Sequence, residues 1–283
     1  MTRWIEETLY PAWGQRFSVG KVLFEEKTEH QHLVIFDNAS HGRVMMLDGA
    51  VQVTLADEFV YHEMMSHVPL FALAEPKRVL IVGGGDGGIL REVLKHPSVE
   101  QATLCEIDRT VVDMSLKYFP EVSAGAFDDA RAKIVIADGL KLVAETNDRF
   151  DAILVDSTDP QGPGAVLFTK NFYADCRRCL TKGGVLVTQN GVPFMQPAEL
   201  KRSVDYFREL FKDGSCYLAS VPTYAGGQMA FGWATDDRKL RAVKLADVRN
   251  RFAAANFATK CYTPAVHKAA FALPAFIERI VAS

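Results

Sequence analysis

Residues 78–88 read Arg-Val-Leu-Ile-Val-Gly-Gly-Gly-Asp-Gly-Gly. An unbroken apolar run that ends in glycines, with Ile89, Leu90, Arg91 and Glu92 beyond, is the pattern of a buried strand turning sharply into a helix. Gly83, Gly85 and Gly88 satisfy G-x-G-x-x-G, in which glycines let the backbone turn tightly and approach a ligand. Alone this motif is weak, because any tight strand-to-helix turn uses glycine. The surrounding pattern strengthens it. After Pro76, apolar strands over 78–82, 102–106, 133–137, 151–156 and 185–189 alternate with helical segments over 88–95, 109–118, 139–145 and 170–180. That alternation predicts an α/β fold, a doubly wound and mostly parallel sheet covered on both faces, with ligands at the C-terminal ends of the strands. Extended runs over 216–222 and 228–235 flank Tyr224-Ala225-Gly226-Gly227 and read as a strand pair added at the sheet's edge.

Upstream the pattern is different. Short extended runs over 21–24, 33–36, 44–47 and 51–54 predict a small antiparallel β domain, and Asp48-Gly49 between the last two is a hairpin turn signal. The expected division is residues 1–56 for this β-strand domain and 57–283 for the catalytic α/β domain. Asp57 is placed to cap a helix through about residue 73, where Phe59, Val60, Met64, His67 and Val68 recur at helical spacing.

Composition excludes several classes of function. Basic and acidic residues number 32 and 35, a net charge of -3, which gives no basic field for nucleic acid. No apolar run is long enough to cross a bilayer, and the first ten residues, with Trp4, Glu6 and Glu7, lack the basic and apolar parts of a secretory signal. The expectation is a cytoplasmic protein with no membrane partner. Cys176 and Cys179 form C-x-x-C, but Arg177 and Arg178 fill it and no second Cys or His pair follows at zinc spacing, so packed thiols are expected.

Acidic residues recur where the strands end. Glu106 closes the second strand of the parallel set, where a carboxylate accepts hydrogen bonds from both hydroxyls of a ribose. Asp86 sits inside the glycine loop and would repel the pyrophosphate of a dinucleotide, which argues against a dehydrogenase. It equally suits a helix cap. Asp138, before Gly139, fits either an adenine amino group or a cap. Asp156 and Asp159 end the fourth strand, ahead of the Pro/Gly-rich stretch 160–164. Carboxylates gathered without neutralisation raise one another's pKa values and call for a cationic partner. Magnesium is one candidate, but no phosphate-gripping Lys or Arg accompanies the acids. An organic di-cation fits better, with Tyr61 and Tyr224 available to lie over it.

The series Leu47-Asp48-Gly49, Gln52, Asp57-Glu58-Phe59, Tyr61-His62-Glu63, Gly83 to Gly88, Arg91-Glu92, Glu106-Ile107-Asp108, Asp156 to Pro160, Gly162-Pro163 and Pro222-Thr223-Tyr224 resembles the spermidine synthase family in its bacterial form. The resemblance spans nearly the whole chain. It implies a Rossmann-like methyltransferase fold behind a small β domain, in a homodimer or homotetramer. It also implies transfer of an aminopropyl group from decarboxylated S-adenosylmethionine, a co-substrate, to putrescine, with no metal and no separate cofactor. By similarity Gln31, Leu47, Gly83, Glu106, Asp138, Gly139 and Pro163 would hold the methylthioadenosine part of the donor. His62, Asp86, Asp156 and Asp159 would line the amine channel, with Asp156 the proton acceptor and Tyr61 and Tyr224 assisting. Residues 157–170 resemble a gatekeeping loop. Alternatives are transfer to cadaverine, agmatine or spermidine, methylation of putrescine, and a non-catalytic polyamine sensor. Proton transfer from an alkylammonium to an ordinary Asp is uphill by about 6.5 pKa units, so Asp156 is expected to have a raised pKa.

Overall fold

The computed structural model describes residues 3–160 and 162–282, with the side chains of 162 and 163 outside that description. A two-stranded antiparallel sheet pairs β1 (Arg3–Glu6) with β2 (Arg16–Val19). A four-stranded antiparallel sheet follows in the order β3 (Lys21–Lys27), β4 (His32–Asn38), β5 (Gly42–Leu47) and β6 (Ala50–Thr54). The hairpin expected at Asp48-Gly49 joins β5 to β6, and both turn residues have positive φ, 48° and 81°.

Then comes α1 (Glu58–Ala72), and after it the alternating part: β7 (Arg78–Gly83), α2 (Gly88–Leu94), β8 (Gln101–Glu106), α3 (Arg109–Tyr118), α4 (Pro120–Ser123), β9 (Ala132–Ile136), α5 (Gly139–Glu145) and β10 (Phe150–Asp156). A 3-10 turn, Gly162–Phe168, leads into α6 (Lys170–Cys179), β11 (Leu180–Gln189), α7 (Pro197–Leu210), β12 (Asp213–Ala219) and β13 (Met229–Thr235). The chain closes with α8 (Leu245–Ala255), α9 (Pro264–Ala270) and α10 (Ala275–Ala282).

The seven-stranded sheet has the order β12-β13-β11-β10-β7-β8-β9. Strands β7 to β11 are parallel, and β13 runs antiparallel to both its neighbours, so the late strand pair does sit at the edge. Alternation along β7 explains the two-sided core. Val79 and Ile81 face Met64, Met65 and Val68 of α1 with Ile89 and Val93 of α2, whereas Leu80 and Val82 face Phe172, Cys176, Leu200 and Val204 of α6 and α7. The small sheet docks Leu33, Ile35, Met45 and Val53 onto Val111 of α3, Val122 of α4 and Phe119 between the two helices. No helix among the described residues is long and apolar enough to cross a membrane. Cys176 and Cys179 are buried in the α6 core, and burial pushes both thiols up.

Asp57 departs from its expected role. It precedes α1 but its side chain makes no cap hydrogen bond. Instead it accepts from Thr54 Oγ1 at 2.6 Å and from the backbone N–H and hydroxyl of Thr223 at 2.8 and 2.5 Å, tying the β12–β13 connection to the start of α1. A buried carboxylate is better satisfied by three donors than by one helix end.

Candidate active site

Strands β8 and β9 spread to one side of β7, and β10 returns to the other, so the topological switch point lies between β7 and β10. There Gly83 pairs in register with Asp156. Gly83 has φ 83°, and a Cβ on it would lie 2.0 Å from the Asp156 carbonyl oxygen; only glycine lets the two strand ends approach this closely.

The Asp156 side chain points into the crevice that opens at this junction. Tyr61, from α1, donates its hydroxyl to Asp156 Oδ1 at 2.6 Å. Loss of water around Asp156, together with the neighbouring Asp86 charge, raises its carboxyl to about 6, although the Tyr61 hydrogen bond pulls the other way. Tyr224, from the β12–β13 connection tied down by Asp57, meets Tyr61 edge-on at 5.7 Å and donates to the Gln52 carbonyl oxygen at 2.5 Å. Asp159 follows Asp156 into the crevice and accepts from Gln196 Nε2 at 2.6 Å, while burial pushes its carboxyl up.

Asp86 corrects an expectation. The acids of the crevice do not stand together unneutralised, because His62 Nε2 lies 3.3 Å from Asp86 Oδ2. Burial works against the charges of both, but each stabilises the other: His62 is raised to about 10, with Glu58 adding to the effect, and the Asp86 carboxyl is held below its ordinary value. Asp86 Oδ1 also accepts from Gly88 N–H at 2.7 Å, so the capping role and a place in the crevice hold together.

At the far end Glu106, only 8% exposed, takes the Asp108 N–H at 2.9 Å on Oε1. Burial raises its carboxyl to about 7 against those backbone hydrogen bonds. Gln31 reaches this end from the small β sheet and is steadied by Asp108 Oδ2 at 3.1 Å; Leu47 lies beside it in the crevice wall. Asp138 caps α5 through the Leu140 N–H at 2.8 Å and still borders the crevice, as does Gly139, where a Cβ would come 2.4 Å from Val82 Cγ1. The structure therefore brings twelve of the thirteen sequence-selected residues around one crevice; the Pro163 side chain lies outside the described residues.

Sequence reasoning missed the residues that line the crevice around Asp159 and Gln196. Glu7 and Tyr10 come from the connection between β1 and β2, and Tyr10 donates to Gln196 Oε1 at 3.2 Å. Gln189, at the end of β11, has a buried Oε1 without a hydrogen-bond partner among the described residues. Its position at a parallel strand's C-terminal end was the available signal.

The family profile described as a spermine/spermidine synthase domain matches residues 58–244, and one described as a spermidine synthase tetramerisation domain matches residues 3–54. Polyamine aminopropyltransferase 1 of Pseudomonas aeruginosa is 56% identical over 276 residues, covering 98% of this chain and 96% of that protein. The polyamine aminopropyltransferase of a Ruegeria species is 54% identical over 277 residues, covering 98% of each. Among solved structures, a spermidine synthase in complex with the transition-state analogue AdoDATO superposes with a TM-score of 0.94 at 38% identity, covering 100% of this chain and 97% of that one. Spermidine synthase from Thermotoga maritima gives 0.91 at 36% identity, covering 100% and 96%.

Proposed function

The chain belongs to the spermine/spermidine synthase family and is a polyamine aminopropyltransferase; on that premise we propose that its donor is decarboxylated S-adenosylmethionine, its acceptor putrescine, and its products spermidine and 5'-methylthioadenosine. The observation that carries the choice of base is the pairing of Tyr61 with an Asp156 carboxyl raised to about 6, at the strand end where Asp156 meets Gly83 in the switch-point crevice.

The donor's positive sulfur makes its propyl carbon electrophilic, and a neutral primary amine is the nucleophile. Asp156 takes one proton from the acceptor's reacting ammonium. The freed lone pair then forms the N–C bond as the C–S bond breaks, and the C–S electron pair leaves on sulfur, which becomes the neutral thioether of methylthioadenosine. The positive charge passes from sulfur to the new secondary ammonium, so the step balances without a metal or a covalent enzyme intermediate. A carboxyl at about 6 facing an alkylammonium of about 10.4 leaves roughly 6 kcal/mol uphill, against roughly 9 for an ordinary Asp. The adjacent sulfonium lowers the amine's pKa and narrows the remainder. Tyr61 fixes the carboxylate's direction and so turns placement into rate.

In this reading Glu106 and Gln31 take the ribose end of the donor, Asp138 and Gly139 the adenine end, and Asp86 the donor's ammonium. Asp159, with the open acceptor Gln189 Oε1, takes putrescine's distal ammonium. Self-association through residues 3–54 fits the tetramerisation-domain match and is read out by light scattering. The five free thiols support a cytoplasmic setting. The test of function is incubation with decarboxylated S-adenosylmethionine and putrescine, cadaverine, agmatine or spermidine, followed by mass spectrometry. Putrescine is expected to give the highest kcat/KM. Methylated putrescine formed from S-adenosylmethionine, with no spermidine, would establish the competing methyltransferase reading.

A further inference from the structure

Four charged side chains alternate in sign along the packing of α1 on α2 and end at the crevice. Arg91 donates to Glu58 Oε2 at 2.8 Å and to Oε1 at 3.2 Å. Glu58 Oε2 lies 2.6 Å from His62 Nδ1, and His62 Nε2 lies 3.3 Å from Asp86 Oδ2. His62 and Asp86 border the crevice, whereas Glu58 and Arg91 stand behind them. The guanidinium is fixed in turn by the Val122 carbonyl oxygen at 2.5 Å and by Glu92 Oε1 at 2.6 Å.

A ring with a carboxylate oxygen against each nitrogen satisfies both contacts only when both nitrogens carry hydrogen, which makes it an imidazolium. The ring has no room to turn, since its side chain is 4% exposed and lies against Gly88 and the edge of Tyr61. The charged groups facing it are Glu58 from α1, Asp86 from the glycine turn, Asp156 from β10 and, behind Glu58, Arg91 from α2.

We propose that Glu58, clamped by Arg91, is a positioning residue for aminopropyl transfer: it holds His62 as an imidazolium aimed at Asp86, so that Asp86 stays the anion of the Asp86–Asp156 pair and Asp156 is the member that takes the proton. Two neighbouring carboxylates in one crevice compete for ionisation, and catalysis needs them driven apart. The imidazolium beside Asp86 does this, and the shifts of the two carboxyls, down for Asp86 and up for Asp156, follow that division. Burial works against the Glu58 charge, and the His62 ring first and the Arg91 guanidinium second hold its carboxyl below the ordinary value, so Glu58 remains ionised. The inference rests on the reading of Asp156 as base and Asp86 as the donor's ammonium site.

The test is nitrogen NMR of the histidine rings in the full-length, ligand-free enzyme between about pH 6 and 9, with His62 assigned by His62→Asn, and pH profiles for kcat and kcat/KM. In the wild type both His62 nitrogens should stay protonated across the window. In Glu58→Gln the ring should lose its proton within it, a downward shift of at least about one unit, and donor kcat/KM should fall about tenfold with a displaced pH profile. Glu92→Gln removes a more deeply buried carboxylate from the same guanidinium, away from the His62 ring, and should cost stability while leaving the His62 signature and the profile in place. If Glu58→Gln does not fold, Arg91→Lys, which keeps charge but loses the two-pronged grip, should give a smaller shift in the same direction. An unmoved His62 signature in Glu58→Gln, or in Arg91→Lys where that variant stands in, overturns the proposal, as does an equal shift in Glu92→Gln. The ring signature is read without substrate, so a wild-type enzyme that makes no spermidine would refute the substrate reading and leave this result to decide the charge chain by itself.

Discussion

Gly88 makes room for His62: a methyl group on its Cα would sit 2.2 Å from Nδ1 and Cε1 of the ring. Gly88→Ala must therefore displace either the ring or α2. Overpacking of this kind costs about 1–3 kcal/mol, and because the displaced ring is the partner of Asp86, donor kcat/KM should drop more than the loss of folded protein explains. Denaturant melts and steady-state kinetics on the same preparation check this. Activity unchanged per folded molecule would mean that the ring moves without consequence.

Tyr61→Phe removes the O–H that favours ionised Asp156. The carboxyl then rises further, since its shift is already upward and the opposing hydrogen bond is gone. In the wild type, kcat/KM for the amine should fall as pH drops through about 6; in the variant the fall should begin at higher pH, with a loss of about tenfold or more at neutrality. A superimposable pH profile would show that Tyr61 does not set the base.

The parallel sheet was legible because each strand is a dense apolar run and each crossover a helical repeat, and the strand-end acids followed from where open α/β sheets bind ligands. Partnerships across long separations were not. Asp57 reads as a cap, yet its carboxylate serves Thr223, 166 positions along, and Tyr10 meets Gln196, 186 positions along. Strands β1 and β2 are four residues each, too short for alternation to register. Helices α7 to α10 contain no short motif that marks them in the sequence. One signal was present and unused: Glu58 and His62 stand four apart on one helix, the spacing at which side chains meet. Read that way, the acids of the crevice would have been seen to have an internal cation.

Glu106 should make donor binding depend on pH. Its carboxyl moves from 4.5 to about 7 on folding, so its contribution to the stability of the empty protein is fully present below about 4.5 and is lost as pH rises through about 7. Ribose hydroxyls donate to the ionised form. Methylthioadenosine affinity should therefore strengthen between about pH 6 and 8, with up to one proton released per ligand near pH 6.5. Glu106→Gln should flatten that dependence and weaken binding by about 1.5–3 kcal/mol. Calorimetry in two buffers of different ionisation enthalpy measures both; a flat wild-type curve would place the ribose elsewhere.

Asp86→Asn should erode the choice between decarboxylated and ordinary S-adenosylmethionine. Two bare carboxylates at about 4 Å repel by roughly 4 kcal/mol at an effective dielectric of 20. The His62 imidazolium beside Asp86 cancels part of that field, so the ratio of the two dissociation constants should change by about tenfold rather than several hundredfold. Calorimetric titration of both ligands gives the ratio, and one that does not move assigns the selectivity to cavity shape.

The central claim is that Asp156 is the proton acceptor, and Asp156→Asn, which keeps the side chain's shape, tests it most directly. The measurement is single-turnover formation of spermidine from decarboxylated S-adenosylmethionine and putrescine, with methylthioadenosine binding to the same variant measured by calorimetry. The expected result is a loss of about 10²–10⁴-fold in turnover with methylthioadenosine affinity held within about twofold. Turnover within about threefold of the wild type would contradict it, because a reaction that survives loss of the carboxylate does not use it as the base.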